Sequence, residues 1–528
     1  MDSDLGDSLT EKQANYGIWK EFEEEFRKPR RCTYMFCTLT CSEWLTGHCC
    51  DVDVPPVIST PPYVPRVTIA MLPDVALLKI FDFYVHGTWE GPNAWHKLVH
   101  VCQKWRNVVF GSPSRLDLRL YCQAGTSVMK TLDVWPPLPI VIDVKGYMLM
   151  NPKFDVDDIV AALKHNDRIC KLALTSVSSL QMEIYLAEMQ KPFPALTDLD
   201  LSPSNETASV DPDSFLGGSA PRLQTLILDH IPFPGLPKLL LSATHLVHLE
   251  LWNIPHSGYI SPKAMVAGLS VLTRLEYLEI RFESPQSRPD HRRPPPPTRT
   301  VLPVLADLWF KGVSEYLEDL LALIDTPRLD NLEVIFFHQL LFDTPQLALF
   351  ISRTPKFNTQ DNLEARLDFS YGRALVKTFD RRLSLGISCR QSDWQFSSLA
   401  QLCRSSFSHA LISTVEHLYI EDNRTMHTFD DNDNHDIGDI ESSQWVEFLH
   451  PFTAVKRLYS SSNSAPIIAP ALQELVGETV TEVLPALQTL FLERLPSKPA
   501  QEAIERFVSA RQLSSHPIAV SRWTRKLF

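Results

Sequence analysis

A six-residue pattern, apolar-x-x-Leu-x-Leu, recurs through most of this chain and limits its fold more than any other feature. It is seen in Leu196–Leu201 (LTDLDL), Leu223–Leu228 (LQTLIL), Leu246–Leu251 (LVHLEL), Leu275–Ile280 (LEYLEI), Leu329–Val334 (LDNLEV), Val415–Ile420 (VEHLYI) and Leu487–Leu492 (LQTLFL), with looser copies near Leu305, Leu383 and Val455. Anchors at positions 169, 196, 223, 246 and 275 lie 27, 27, 23 and 29 residues apart. In a strand, side chains two apart share a face, so the paired leucines of each copy point one way and the residues between them the other. A strand this short cannot bury its apolar face alone. Stacked copies can, by sharing one core.

Between the copies lie apolar stretches at helical spacing, Leu236–Ser242, Lys263–Leu272 and Ser314–Ile324. Earlier, Leu138–Val144 reads as a buried strand, Asp157–His165 as a helix and Ile169–Leu174 as a strand. The expected fold class is α/β: a curved solenoid with strands inside and helices outside. The repeat length falls in the range of leucine-rich repeats. The Asn that closes the strand turn in regular repeats is mostly missing. Outward strand positions commonly form the binding face of such arrays, which nominates Gln224, His248, Trp252, Glu279, Arg281 and Glu333 as contacts for a target protein.

The stretch Met71–Cys122 is different. Leu72-Pro73 opens it, and Pro73 suits a first helical turn, where no N–H is needed. Asp74 lies where the helix dipole favours negative charge. Leu77, Leu78, Ile80, Phe81 and Tyr84 then follow at helical steps until Gly87 and Gly91-Pro92. A second helical pattern carries Trp95, Leu98, Val99, Val101, Cys102, Trp105, Val108 and Val109, and Gly111-Ser112-Pro113 closes the unit. Three short helices in so few residues make a small core that gains from docking on something else.

The order Leu72-Pro73, Ile80-Phe81, Val101-Cys102 and Trp105-Arg106 resembles the F-box, and the sequence that follows, through Leu132–Pro139, is similar to F-box proteins abundant in mushroom-forming fungi. The repeats in turn resemble the irregular leucine-rich repeats of F-box proteins. This resemblance implies a module that docks the Skp-type adaptor of a cullin-based ubiquitin ligase. It assigns Leu72, Pro73, Ile80, Phe81, Val101 and Trp105 to adaptor contact or to forming the module. Leu72, Pro73 and Ile80 are the leading contacts, and Trp105 is either contact or core. The implied role is a substrate receptor, non-catalytic itself. The alternative is a repeat-based scaffold outside degradation, with a vestigial F-box.

The resulting division is a polar, cysteine-containing leader (1–66), the helical module (67–122), a connecting segment with the first strand (123–145), the repeat array (146–515) and a tail (516–528). Three interruptions are expected in the array, at Ser284–Thr300, Gln339–Leu385 and Asp422–Glu441. The first carries Arg288, Arg292, Arg293 and Pro294–Pro297, and reads as a solvated loop. The last is acidic, and its Asp and Asn residues fail the register of a calcium loop, since position six from Asp431 is Asp436 rather than Gly.

A net charge of −13 argues against nucleic acid or an anionic membrane as the main partner. No apolar run is long enough to span a bilayer, and the acidic start is the opposite of a secretory leader, so the cytoplasm or nucleus is the expected compartment. Forty prolines against eighteen glycines point to many short, proline-ended elements rather than phosphate-cradling loops. Cys32, Cys37, Cys41, Cys49 and Cys50 with His48 contain no C-x-x-C pair, so neither metal nor cofactor is expected. The nucleophile elbow, phosphate loop, dinucleotide fingerprint and H-E-x-x-H motif are all missing from the sequence, which excludes the common enzyme classes built on them.

Overall fold

The computed structural model describes residues 71–87, 94–122, 128–145, 156–204, 214–285, 298–358, 363–370, 372–378, 382–389, 392–406, 412–423, 441–475 and 479–524. The leader with its cysteine cluster, the arginine- and proline-rich centre of the first interruption and most of the acidic one lie outside these residues. From Leu72 onward the chain is one compact unit.

Among the described residues, its centre is a sheet of sixteen strands. In chain order they begin with β1 (Leu120–Cys122), β2 (Ile140–Lys145), β3 (Ile169–Val177), β4 (Asp198–Pro203), β5 (Thr225–Asp229), β6 (His248–Ile254) and β7 (Tyr277–Phe282). A two-residue strand β8 (Thr300–Val301) pairs outside the sheet with β10 (Ile324–Asp325). The sheet continues through β9 (Asp307–Gly312), β11 (Asn331–Phe337), β12 (Glu364–Ser370), β13 (Arg373–Thr378), β14 (Leu383–Ser388), β15 (His417–Asp422), β16 (Arg457–Ser460), β17 (Thr489–Leu492) and β18 (Ala519–Arg522).

Every pairing in the sheet is parallel except the two made by β13. The register stacks the repeat leucines: Ile142, Leu172, Leu199, Leu226, Leu249, Leu278, Leu308, Leu332 and Leu383 stand side by side on successive strands. All are buried. Helices follow the strands and touch one another in sequence, from Leu236–Leu240 through Pro262–Leu269, Ser314–Leu323, Pro345–Arg353, Ser392–Ser406, Ser442–Leu449 and Ala465–Glu474 to Lys498–Leu513. Their buried residues share one core with the leucine row. The fold is thus mixed α/β, a long and mainly parallel sheet with a row of helices, as in a leucine-rich-repeat-like solenoid. Local signals set the helix starts. Ser178 and Gln181 form a reciprocal capping box, and Ser261 caps the helix that Pro262 begins.

Three differences from the sequence reading are informative. The sheet already starts at Leu120, inside the span read as helical, because LYC is short but its Leu120 and Cys122 are both buried. The span 339–385, where the rhythm is lost, folds as an antiparallel insert: the spatial order runs β11-β14-β13-β12-β15. The chain therefore passes β11, forms β12 three places away and returns through β13 to place β14 beside β11. Finally, Ala519–Arg522 extends the sheet into the span read as tail. Among the described residues no helix is long and apolar enough to cross a membrane.

The insert depends on a close approach at Gly386. A Cβ there would lie 2.1 Å from Leu375 Cδ2 and 2.6 Å from the Ala374 carbonyl oxygen on the facing strand. The Leu375 side chain can rotate away, but the carbonyl is part of the β13 ladder and cannot. We expect Gly386→Ala to lower stability by about 1–3 kcal/mol, measured by urea denaturation, and Leu375→Ala in the same chain to recover only part of the loss.

Candidate functional site

The face of the sheet opposite the leucine row carries the residues between the paired leucines. On β6, β7 and β9 these form a connected aromatic and charged patch. His248 stacks on Tyr277, with ring centroids 4.3 Å apart and planes 9° from parallel, and its ring bonds the Glu250 carboxylate. The Tyr277 hydroxyl donates to Glu279 at 2.7 Å. Burial and this acceptor push the Tyr277 phenol well above its usual pKa. Glu279 is itself buried and is paired with Arg281 Nε. The Arg281 guanidinium lies between two indoles, 5.7 Å from the Trp252 ring centre and 5.9 Å from that of Trp309. At the end of β6, Asn253 adopts a left-handed conformation (φ 49°) and donates to Asp229 at 2.8 Å, which marks a bulge just after Trp252.

The patch continues on β9, β11 and β13. Lys311 stands beside Arg281 in register, with its ammonium 5.4 Å from the centre of the Phe337 ring. Burial lowers the Lys311 pKa, and nearby Arg281 and Arg373 lower it further. Glu333 faces Trp309 across the strands. Burial raises its carboxyl pKa, against the opposing pull of Lys377, Arg373 and Arg281. Lys377 is matched by Asp368 at 2.9 Å, and Arg366 by the buried Glu421 at 2.9 Å.

A second group lies on the last strands. Tyr419, Tyr459 and Phe491 stack face to face across β15, β16 and β17, at 4.3 and 4.6 Å and within 9° of parallel. Trp523 meets Tyr459 edge-on at 5.5 Å, and its indole N–H donates to the Ser460 carbonyl at 3.2 Å.

The third candidate surface is the helical module at the other end. Its helices are α1 (Asp74–Gly87), α2 (Trp95–Val99) and α3 (Gln103–Phe110). Leu77, Leu78 and Phe81 of α1 face inward against Trp95, Leu98, Val99, Val108 and Val109. Phe81 meets Trp105 at 4.8 Å between ring centres. Trp95 donates to the Arg119 carbonyl at 3.2 Å and packs on Trp135, tying the module to the beginning of the sheet. On the outer side of α1, Val75, Ile80 and Phe83 are 61%, 43% and 78% exposed, and Val101, between α2 and α3, is 56% exposed.

Of the residues named from sequence, His248, Trp252, Glu279, Arg281 and Glu333 share the open face, and the first four form one continuous set of contacts. Gln224 stands apart. It precedes β5, and its backbone N–H donates to the Thr197 carbonyl at 2.7 Å while its side chain is exposed. In the module, Pro73, Ile80 and Val101 are exposed, Leu72 and Trp105 are half-buried and Phe81 is fully buried. Phe81 thus belongs to the packing of the module, the second of the two roles open to it. Sequence reasoning missed Tyr277, Trp309, Lys311 and the Tyr419–Tyr459–Phe491 stack. A signal for most of them exists: the fifth position of the repeat copies, read down the array, gives Asp200, Ile227, Glu250, Glu279, Trp309 and Glu333, then Tyr419, Tyr459 and Phe491. Among the described residues no three His, Cys, Asp or Glu side chains gather into a metal-holding set.

No family profile and no curated protein matches this chain. Among solved structures, the chain is similar to the leucine-rich repeat-containing protein LegL7 from Legionella pneumophila, at 13% identity over 74% of this chain and 96% of that one, with a TM-score of 0.26.

The Glu279–Arg281 pair supplies a test of the patch. With Arg281→Leu, buried Glu279 keeps only the Tyr277 hydroxyl as donor, and stability should fall by roughly 1–3 kcal/mol. In the double variant Glu279→Leu/Arg281→Leu no charge is stranded, so part of the loss should return. Chemical denaturation of the two single variants and the double variant reads the coupling directly.

Proposed function

We propose that the chain is the substrate-receptor subunit of a Skp-cullin-F-box ubiquitin ligase, non-catalytic itself, with the helical module on the adaptor and the open sheet face on a target protein. The observation that carries this reading is the outer surface of the module. A soluble helix that has already buried Leu77, Leu78 and Phe81 has no need of Val75, Ile80 and Phe83 on its other side. Clustered exposed apolar residues of this kind mark a partner site. Their position next to the Leu72-Pro73 start agrees with the motif resemblance, in which Leu72, Pro73, Ile80 and Val101 contribute to adaptor contact. Phe83, outside the motif as read, adds the largest exposed apolar side chain of the surface.

The chemistry of such a subunit is positioning. The module fixes the chain to the adaptor, and through it to a cullin. The sheet presents an extended surface on which a target is held while other subunits transfer ubiquitin. The long row of in-register strands suits this role, because repeat arrays create extended binding surfaces.

The test is co-purification of the full chain with a Skp-type adaptor. Wild type should capture the adaptor, and Ile80→Asp/Phe83→Asp should weaken capture by at least about tenfold, given about 1.5–3 kcal/mol for each large apolar side chain buried. Both positions are exposed, so the variant should keep its circular dichroism and melting temperature. Failure of wild type to capture the adaptor would overturn the proposal.

A further inference from the structure

Most charged groups on the open face have partners of opposite sign. Around Lys311 the balance fails. Among the described residues its ammonium has no hydrogen-bonding or ion-pairing partner, only the Phe337 ring beneath it. Arg281, beside it in register, spends Nε on Glu279, and among the described residues no further ion pair or hydrogen bond engages its terminal nitrogens. Arg373 of β13 is exposed, and among the described residues no carboxylate pairs with its guanidinium. The nearby carboxylates are engaged or shielded. Glu279 is held by Tyr277 and Arg281, Glu250 by His248, and Asp368 by Lys377. Glu333 lies partly buried on β11. Three cationic groups therefore converge with one carboxylate among them that is not already paired.

We propose that this patch, Arg281, Lys311 and Arg373 with Trp309 and Phe337, seats a short acidic segment of a target protein, with side-chain carboxylates of the segment as the missing partners. The inference rests on reading the open face as the target-binding surface, and it names the chemistry of that target. Four observations favour an acidic peptide. The donors are guanidinium and ammonium groups, which bind carboxylates with charge-assisted hydrogen bonds. Neighbouring strands place Arg281 and Lys311 about 4.8 Å apart along the sheet, a step that carboxylates of an extended segment can follow. Trp309, Phe337 and the indole-clamped Arg281 are residue types that dominate binding energy in protein interfaces. The cationic stretch is also short, bounded by Asp229, Glu250 and Asp307 on β5, β6 and β9. A nucleic acid, with its continuous run of phosphates, would meet those carboxylates. An acidic segment of a few residues would not. With a net charge of −13 on the whole chain, general attraction of anions is weak, so binding at one cationic spot is selective by position.

The experiment uses the full-length chain and three fluorescein-labelled peptides of one length, alternating Gly with Glu, Gln or Lys, followed by fluorescence anisotropy at low and moderate salt. The Glu peptide should bind at least about tenfold more tightly than the Gln peptide and weaken as salt rises. Lys311→Met and Arg373→Gln should each weaken it several-fold without moving the melting temperature, while Lys311→Arg retains binding. Both variants should still capture the Skp-type adaptor as well as wild type does, which separates failure here from failure of the ligase reading. Equal binding of the Glu and Gln peptides, or unchanged binding by a folded Lys311→Met, would overturn the proposal. So would a single-stranded oligonucleotide of matched charge that displaces the Glu peptide at lower concentration.

Discussion

Everything in this fold depends on the leucines standing in register. A single strand of four to seven residues contributes two or three apolar side chains, too few to hold it against the entropy of ordering the backbone. When Leu199 lies beside Leu226, and Leu226 beside Leu249, each strand buries its apolar face against neighbours and against the helices above. A slip of one residue would turn the whole row to solvent and bring His248, Glu250 and Trp252 into the core. The same register that builds the core therefore arranges the polar face. Tyr277 lies over His248, and Lys311 stands beside Arg281, because Leu278 lies beside Leu249 and Leu308 beside Leu278.

This coupling explains what could be read from sequence. The strands with a clean copy of the pattern are found where the copies lie, and the helices at Leu236, Pro262 and Ser314 start within a residue of the expected positions. The helical module was legible for the same reason, since its buried positions recur at helical spacing. The antiparallel insert was not. β12, β13 and β14 alternate inward and outward residues like any strand, and nothing in their local spacing says that β13 runs backward or that β14, not β12, meets β11. That information sits in long-range contacts such as the close approach of Gly386 to Leu375 and Ala374. The short strands β1 and β18 were hidden by their length, because three or four residues carry no period.

The open face was legible as a surface but not as a site. Its outward residues follow from the alternation, whereas their interactions follow from which strand neighbours which. Glu279 and Arg281 are two apart on one strand, a separation a sequence reader can see. The closure of Trp252 and Trp309 on the guanidinium needs three strands in order. Lys311 is conspicuous only once the carboxylates around it are known to be engaged by other groups, apart from the half-buried Glu333. The module and the open face also differ in kind. One offers aliphatic and aromatic surface on a helix, and the other charge fixed on a sheet, so the two surfaces suit different partners.

The reversed insert also bears on how the stack can assemble. Along most of the array each new strand finds its sheet neighbour one repeat later, so order can spread from strand to strand at little cost in loop closure. At β11 the next neighbour in space is the third strand on in sequence, and β12 must wait for β15 on its far side. Growth from the N-terminal side thus halts until the whole three-strand insert is in place, and growth from the C-terminal side meets it from the opposite edge. The strands before and after the insert are two runs of simple nearest-neighbour propagation, joined by a unit that has to close all at once. No single strand of that unit can be added or deleted without breaking the seam, whereas a repeat on either side meets only its two neighbours.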